Sequence, residues 1–171
     1  MIDYKDIFKL TGKVVAVCGG LGLIGKEVVR ASAQAGAQVL ILDIDEEKGK
    51  QMERQLSKEA IKCTFIRYDV TKSSSLTISG LFDTYRIEGW VNLAYPHTKD
   101  WSDELEKVSV ESWAANVQMH MNSYSLVTRD VANHMRKHNI AGSIINFSSI
   151  YGVVAPDFSL YDNTDMTYPE A

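Results

Sequence analysis

The chain has 171 residues, 45% of them hydrophobic and 23% charged, which suits one soluble globular domain with a single core rather than two domains. Its net charge of −4 argues against a general surface for nucleic acid or anionic membrane. The longest apolar run, Val14 to Ile24, is broken by glycines and too short to span a bilayer, and Met1 to Asp6 has no apolar core of a signal peptide.

Lys13 to Cys18 is the first predicted strand, because Val14 to Val17 is continuously apolar and suits burial on both faces. Ile24, Val28, Ala31 and Ala35 then recur at helical spacing until Gly36. Gln38 to Asp43 is the second strand, followed by a charged helix over Glu46 to Lys58 that turns Met52 and Leu56 inward. Lys62 to Arg67 is the third strand, Ser73 to Arg86 a weakly patterned helix, and Gly89 to Ala94 the fourth strand. A long helix is expected from Glu111 to His138, with Val117, Met121, Tyr124, Val127, Val131 and Met135 along one stripe. Ser143 to Ser149 is the fifth strand, and Gly152 to Ala171 reads as an extended polar loop. Strands alternating with helices predict a Rossmann-type, doubly wound parallel α/β sheet, and right-handed crossovers order it 3-2-1-4-5. Cys18 and Cys63 fall inside strands and read as small core residues in a reducing compartment, with cytoplasm the expected location and no metal predicted.

The first turn carries the chemistry. Gly19, Gly20, Gly22 and Gly25 follow a buried strand and open an amphipathic helix, and Asp43 ends the next strand. Gly20 is expected to allow a tight turn, Gly22 to admit a pyrophosphate, and Gly25 to let helix pack on strand. The helix N-terminus offers unpaired N–H groups to the phosphates. Asp43 would accept hydrogen bonds from the adenosine ribose and repel a 2′-phosphate, which favours NAD over NADP. An S-adenosylmethionine methyltransferase also uses a glycine loop and an acid after its second strand, and the glycine loop alone leaves that reading open.

Further segments narrow the choice. The entry Leu10 to Val17, a TGxxGxxG-type loop with Cys18 in the threonine's place, and Asp69-Val70-Thr71 after the third strand belong together. So do Asn92 to Tyr95 after the fourth strand, with leucine and tyrosine inside an NNAG-like motif, and Gly142 to Ile150. In combination they resemble the short-chain dehydrogenase/reductase family from Leu10 to Ala171, and a methyltransferase has no reason to carry the last segment. The resemblance implies hydride transfer between a nicotinamide and a hydroxyl or carbonyl of a small polar substrate. Gly19, Gly22, Leu23, Ile24, Gly25, Asp43, Asp69, Val70, Asn92 and Ala94 would then surround one NAD. Ser149 matches the catalytic serine, with Ser148 the other candidate. His120, seven residues after Trp113, stands where the family has an asparagine that supports a proton-relay water. Its imidazole either replaces that asparagine or is a histidine bonded to backbone.

The family's tyrosine and the lysine four residues later, which lowers the tyrosine's pKa, have no fitting match. Tyr68/Lys72 ends the third strand on the adenine side, and Pro96 separates Tyr95 from Lys99. Tyr161 is followed four residues on by Asp165, and the chain reaches Ala171 about where the pair is due. The expectation is the N-terminal portion of a longer enzyme, lacking the sixth strand; the rival is a catalytically silent dinucleotide-binding module. Ala94 to Pro96, the His120 helix and Ser149 to Pro156 resemble members associated with bacterial surface-glycan or nonulosonate biosynthesis. Tyr151, Asp157, Tyr161 and Asp165 would bind a sugar-like substrate or form a solvated loop. Homo-oligomers are implied through the helix from Glu111 to His138.

Overall fold

The apolar runs form a five-stranded parallel sheet in the computed structural model, which describes residues 7–72, 75–101, 103, 105–155 and 157–161. In chain order the elements are β1 (Val14–Cys18), α1 (Leu23–Gln34), β2 (Gln38–Asp43), α2 (Glu46–Lys58), β3 (Cys63–Arg67) and α3 (Ser75–Thr84). Next come β4 (Ile87–Asn92), α4 (Val110–Val117), a π-helical turn (Gln118–Asn122), α5 (Ser123–Lys137) and β5 (Ser143–Asn146). The sheet order is β3-β2-β1-β4-β5, with every neighbouring pair parallel, as the crossover rule anticipates. No described helix is long and apolar enough to cross a membrane.

Alternation along the central strands divides the core in two. Val15, Val17, Val39, Ile41 and Val91 point to one face and bury Val29 of α1 and Leu56 of α2. Ala16, Cys18, Leu40, Leu42 and Trp90 point to the other, against Leu81 of α3 and Val127, Val131 and Met135 of α5. Because both faces are covered, β1 and β2 are apolar almost throughout. Gly36 ends the α1 turn at φ +100°, and Asp45 caps α2 by accepting the Lys48 N–H at 3.0 Å.

Three elements have a boundary two or more residues from the sequence expectation. β4 begins at Ile87 and stops at Asn92, so Gly89 lies mid-strand, where a Cβ would stand 3.0 Å from a methyl of Val15. β5 stops at Asn146, and Ser148 and Ser149 follow it as irregular chain. The expected helix of 73–86 is described from Ser75 to Thr84; Ser73 and Ser74 lie outside the described residues, as do Pro156, Asp165 and the rest of 162–171. Of the expected terminal loop, Phe158–Tyr161 forms a 3-10 turn.

The larger correction concerns the long helix. Val127, Val131 and Met135 are buried as expected, but Val117 and Met121 face outward and Asn116 and Ser123 are buried instead. The π turn at Gln118–Asn122 explains the change of phase. It takes up an extra residue, and one residue turns a helix face by about 100°. An apolar stripe drawn with α-helical spacing therefore slips off its face on crossing it.

Candidate functional site

The chain crosses from one side of β1 to the other between β3 and β4, so a crevice opens at the carboxyl ends of β1 and β4. There the first turn packs directly on the segment after β4. Gly19 has φ +80°, and a Cβ on it would lie 2.6 Å from the Ala94 nitrogen and 2.7 Å from the Leu93 carbonyl carbon. The left-handed turn therefore belongs to Gly19, not to Gly20 as its sequence position suggested. At Gly25 a Cβ would sit 2.1 Å from the Gly19 oxygen, so only glycine lets α1 approach this turn. Gly22 caps α1 without a side chain, leaving the helix N-terminus to face the crevice.

Asp43 joins this loop from the neighbouring strand. Its Oδ2 accepts the Leu21 N–H at 3.0 Å and its Oδ1 the Ile44 N–H at 2.8 Å. The carboxylate thus holds the glycine turn while still lining a cleft of about 590 Å³. One end of that cleft is made by Asp43, Asp45, Lys48, Asp69 and Val70, and the other by Ala94 to His97. Lys48 escaped the sequence reading because it lies five residues beyond Asp43 on a charged helix; α2 turns it back, where its Nζ pairs with Asp45 at 2.9 Å.

Asp69 accepts the Thr71 N–H at 3.0 Å and the Thr71 hydroxyl at 2.6 Å, closing the 3-10 turn Val70–Lys72. Burial pushes its carboxyl pKa up, but the Thr71 bonds and the Lys72 ammonium outweigh that and leave it below the ordinary carboxylate value. Burial, aided by the negative charge of Asp43, pushes the Cys18 thiol up to about 12, so the cysteine beneath the cleft is a neutral filler.

Not every expected residue reaches the cleft. Leu23 and Ile24 are exposed on the first turn of α1, at 91% and 55% of their surface. Asn92 is fully buried behind the site: it accepts from Trp90 Nε1 at 2.6 Å and donates to Asn146 Oδ1 and Thr128 Oγ1. Its amide ties β4 to β5 and α5, and the cleft is lined instead by the residues that follow, Leu93 to His97. The Tyr68 ring lies edge-on to Trp90 in the core, and Lys72 pairs with Asp69.

Ser149 is an exposed residue that caps the 3-10 turn Ile150–Gly152, its Oγ accepting the Tyr151 N–H at 3.1 Å. The pairing of Asn92 with Asn146 puts the segment carrying Ser148 and Ser149 at the same sheet edge as Ala94 and Tyr95. His120 lies in the π turn, with Nε2 bonded to the Pro96 carbonyl and its ring stacked on Tyr95 at 4.6 Å between centroids. Burial lowers its pKa against the opposing effect of the Pro96 carbonyl, with His97 adding to the fall. Asp157 is spent on its own turn, accepting the N–H and hydroxyl of Ser159 at 3.1 and 2.7 Å.

A glycine turn at the switch point, a helix N-terminus free of a side-chain cap and an acid at the end of β2 are a fitting cradle for a dinucleotide. A family model described as short chain dehydrogenase matches residues 13–162. The chain belongs to the short chain dehydrogenase family. Among its relatives, the post-translational flagellin modification protein A of Campylobacter coli is 32% identical over 165 residues, covering 92% of this chain and 63% of its own. Cyclopentanol dehydrogenase of Comamonas testosteroni is 33% identical over 160 residues, with coverages of 90% and 62%. A gluconate 5-dehydrogenase of Burkholderia cenocepacia, solved with NADP and tartrate, superposes with a TM-score of 0.75 at 25% identity, over 90% of this chain and 60% of that one. The chain thus spans about three fifths of the length of these short chain dehydrogenases.

Proposed function

We propose that this chain is the dinucleotide-binding portion of an NAD-preferring oxidoreductase acting on the hydroxyl or carbonyl of a small polar, sugar-derived substrate. The observation that carries the reading is Asp43, bonded into the glycine turn at Leu21 while its carboxylate faces the cleft. Gly19, Gly22 and the α1 N-terminus would hold the pyrophosphate, Asp43 the adenosine ribose, and Asp69 and Val70 the adenine side. The bound nicotinamide would supply the hydride chemistry, and Ser149 would steady the substrate oxygen. Charge supports the preference for NAD: Asp43 and Asp45 would both meet a 2′-phosphate, and Lys48, which lines the cleft beside them, is already paired with Asp45.

The polar substrate is supported by the relatives named for gluconate and for flagellin modification; the one named for cyclopentanol supports only an alcohol. The tyrosine and lysine of the family have no Tyr-x-x-x-Lys match between Ser149 and Ala171. The reading therefore gives this chain the cofactor and Ser149 shares of the reaction. We place it in the cytoplasm, as a homo-oligomer joined through the 111–138 helix, where Trp113, Val117, Met121 and Leu126 are exposed.

Titration calorimetry tests the cofactor reading: NAD should bind more tightly than NADP, and Asp43→Asn, which keeps an acceptor for Leu21, should narrow the gap. Equal affinities in the parent protein would remove the role given to Asp43. In the full-length protein Ser149→Ala should slow NAD reduction by at least about tenfold, or 1.4 kcal/mol of barrier. Full-length protein that binds NAD but turns over no alcohol or carbonyl would establish the silent binding module instead.

A further inference from the structure

Three helix side chains grip the segment after β4 at regular intervals. Tyr124 Oη donates to the Ala94 carbonyl at 2.8 Å, and His120 Nε2 bonds to the Pro96 carbonyl. Asn116 Oδ1 accepts the Thr98 N–H at 3.0 Å, and its Nδ2 donates to the Thr98 hydroxyl at 2.9 Å. Every fourth helix residue thus meets every second residue of the segment, running in opposite directions. The spacings agree: four helical residues advance about 6 Å and two residues of extended chain about 6.6 Å. Pro96 also keeps Tyr95 out of helical backbone.

The π turn gives this alignment its physical basis. In a continuous α-helix a step of four residues overshoots a full turn by about 40°, so positions 116, 120 and 124 would fan away from a straight partner. The wider turn at Gln118–Asn122 takes up that overshoot and keeps the three side chains in line. Such a turn sacrifices α-helical hydrogen bonding, and here the freed geometry is spent on a row of contacts to one short segment.

Of that segment, Ala94 to His97 line the cleft, across β1 from Asp43, and Ala94 packs on Gly19. We propose that Asn116, His120 and Tyr124 are positioning residues that hold the Ala94–Thr98 segment, and with it the cleft wall from Ala94 to His97, in place for the non-adenosine half of a bound dinucleotide. The proposal rests on the dinucleotide reading above. It gives His120 a mechanical role, with its ring supporting Tyr95 and its Nε2 fixing Pro96, in place of a relay to water.

The test compares NAD with ADP, which keeps the adenosine and both phosphates but lacks the second nucleoside, by calorimetry on the full-length protein. Tyr124→Phe and His120→Leu should each weaken NAD by about fivefold, the scale of one net hydrogen bond, and leave ADP within about twofold. His120→Gln, which retains an N–H donor, should recover most of the NAD affinity lost in His120→Leu. Hydrogen exchange without ligand adds a readout independent of binding: Asn116→Ala should expose the Thr98 amide while the β1 and β2 amides stay protected. Equal weakening of NAD and ADP, or no weakening of either in folded variants, overturns the proposal. Parent protein that binds ADP and NAD alike overturns it too and leaves the adenosine cradle standing. Parent protein that binds neither refutes the dinucleotide reading itself, and the positioning role with it.

Discussion

At the scale of single residues, the polar groups around the cleft divide into those that face a ligand and those that hold the scaffold. Asn92 is of the second kind. Asn92→Ala should cost about 1–3 kcal/mol of stability in urea titrations, since it leaves the buried Trp90 Nε1 without its acceptor. ADP affinity should stay unchanged, and a selective loss of ADP binding would restore Asn92 to the cofactor site. Cys18 lends itself to a different measurement. With its thiol pushed up to about 12, it should resist alkylation in the native protein at pH 8 and react only on unfolding. Asp43 was legible in the sequence because an acid at the end of the second strand is a local pattern. The place of Asn92 behind the cleft was not legible, because its motif position is local whereas the direction of its amide depends on Asn146 and Thr128, 54 and 36 residues away.

At the scale of elements, burial sets the energies. Leu56→Ala should destabilise the protein by about 2–5 kcal/mol, because the side chain is fully enclosed between α2 and the sheet. The helix segments from Val110 to Lys137 behave as two halves. The half beyond the π turn buries Val127, Val131 and Met135, while the first half exposes Val110, Trp113 and Val117. If these apolar groups join two copies, Met121→Glu together with Val117→Glu should lower the sedimentation coefficient towards that of a monomer without changing the melting temperature by more than a few degrees. An unaltered coefficient would place the contact elsewhere. Periodicity found α1, β2 and α2 within a residue or two, since each is a continuous run of one pattern. It could not find the π turn, because no residue type marks the place where a helix takes up an extra residue.

At the scale of the whole molecule, pH links the protonation of the helices to stability. His120 and His134 both titrate below the ordinary value of 6.5, each chiefly through burial. The unfolded chain then binds more protons than the native one in that interval, so stability rises with pH there. Their contribution should be complete above about pH 6.5 and be lost as pH falls through the lowered native values. Urea midpoints measured from pH 8 to 5 should fall across that window, and His134→Gln should flatten part of the fall. A midpoint constant down to pH 5 would contradict the burial assigned to both rings.

The sequence by itself determined the class of fold, the strand order, the glycine turn and the acid that closes it. These follow from short-range rules: two-residue and 3.6-residue periodicity, crossover handedness, and the backbone freedom of glycine beside a strand end. Tertiary structure alone decided that Gly19 takes the left-handed turn, because that depends on how closely Leu93 and Ala94 approach it. It likewise decided that His120 holds Pro96 and that Asn92 lies behind the cleft. Those outcomes are set by the meeting of segments far apart in the chain, and periodicity within one segment carries no record of them.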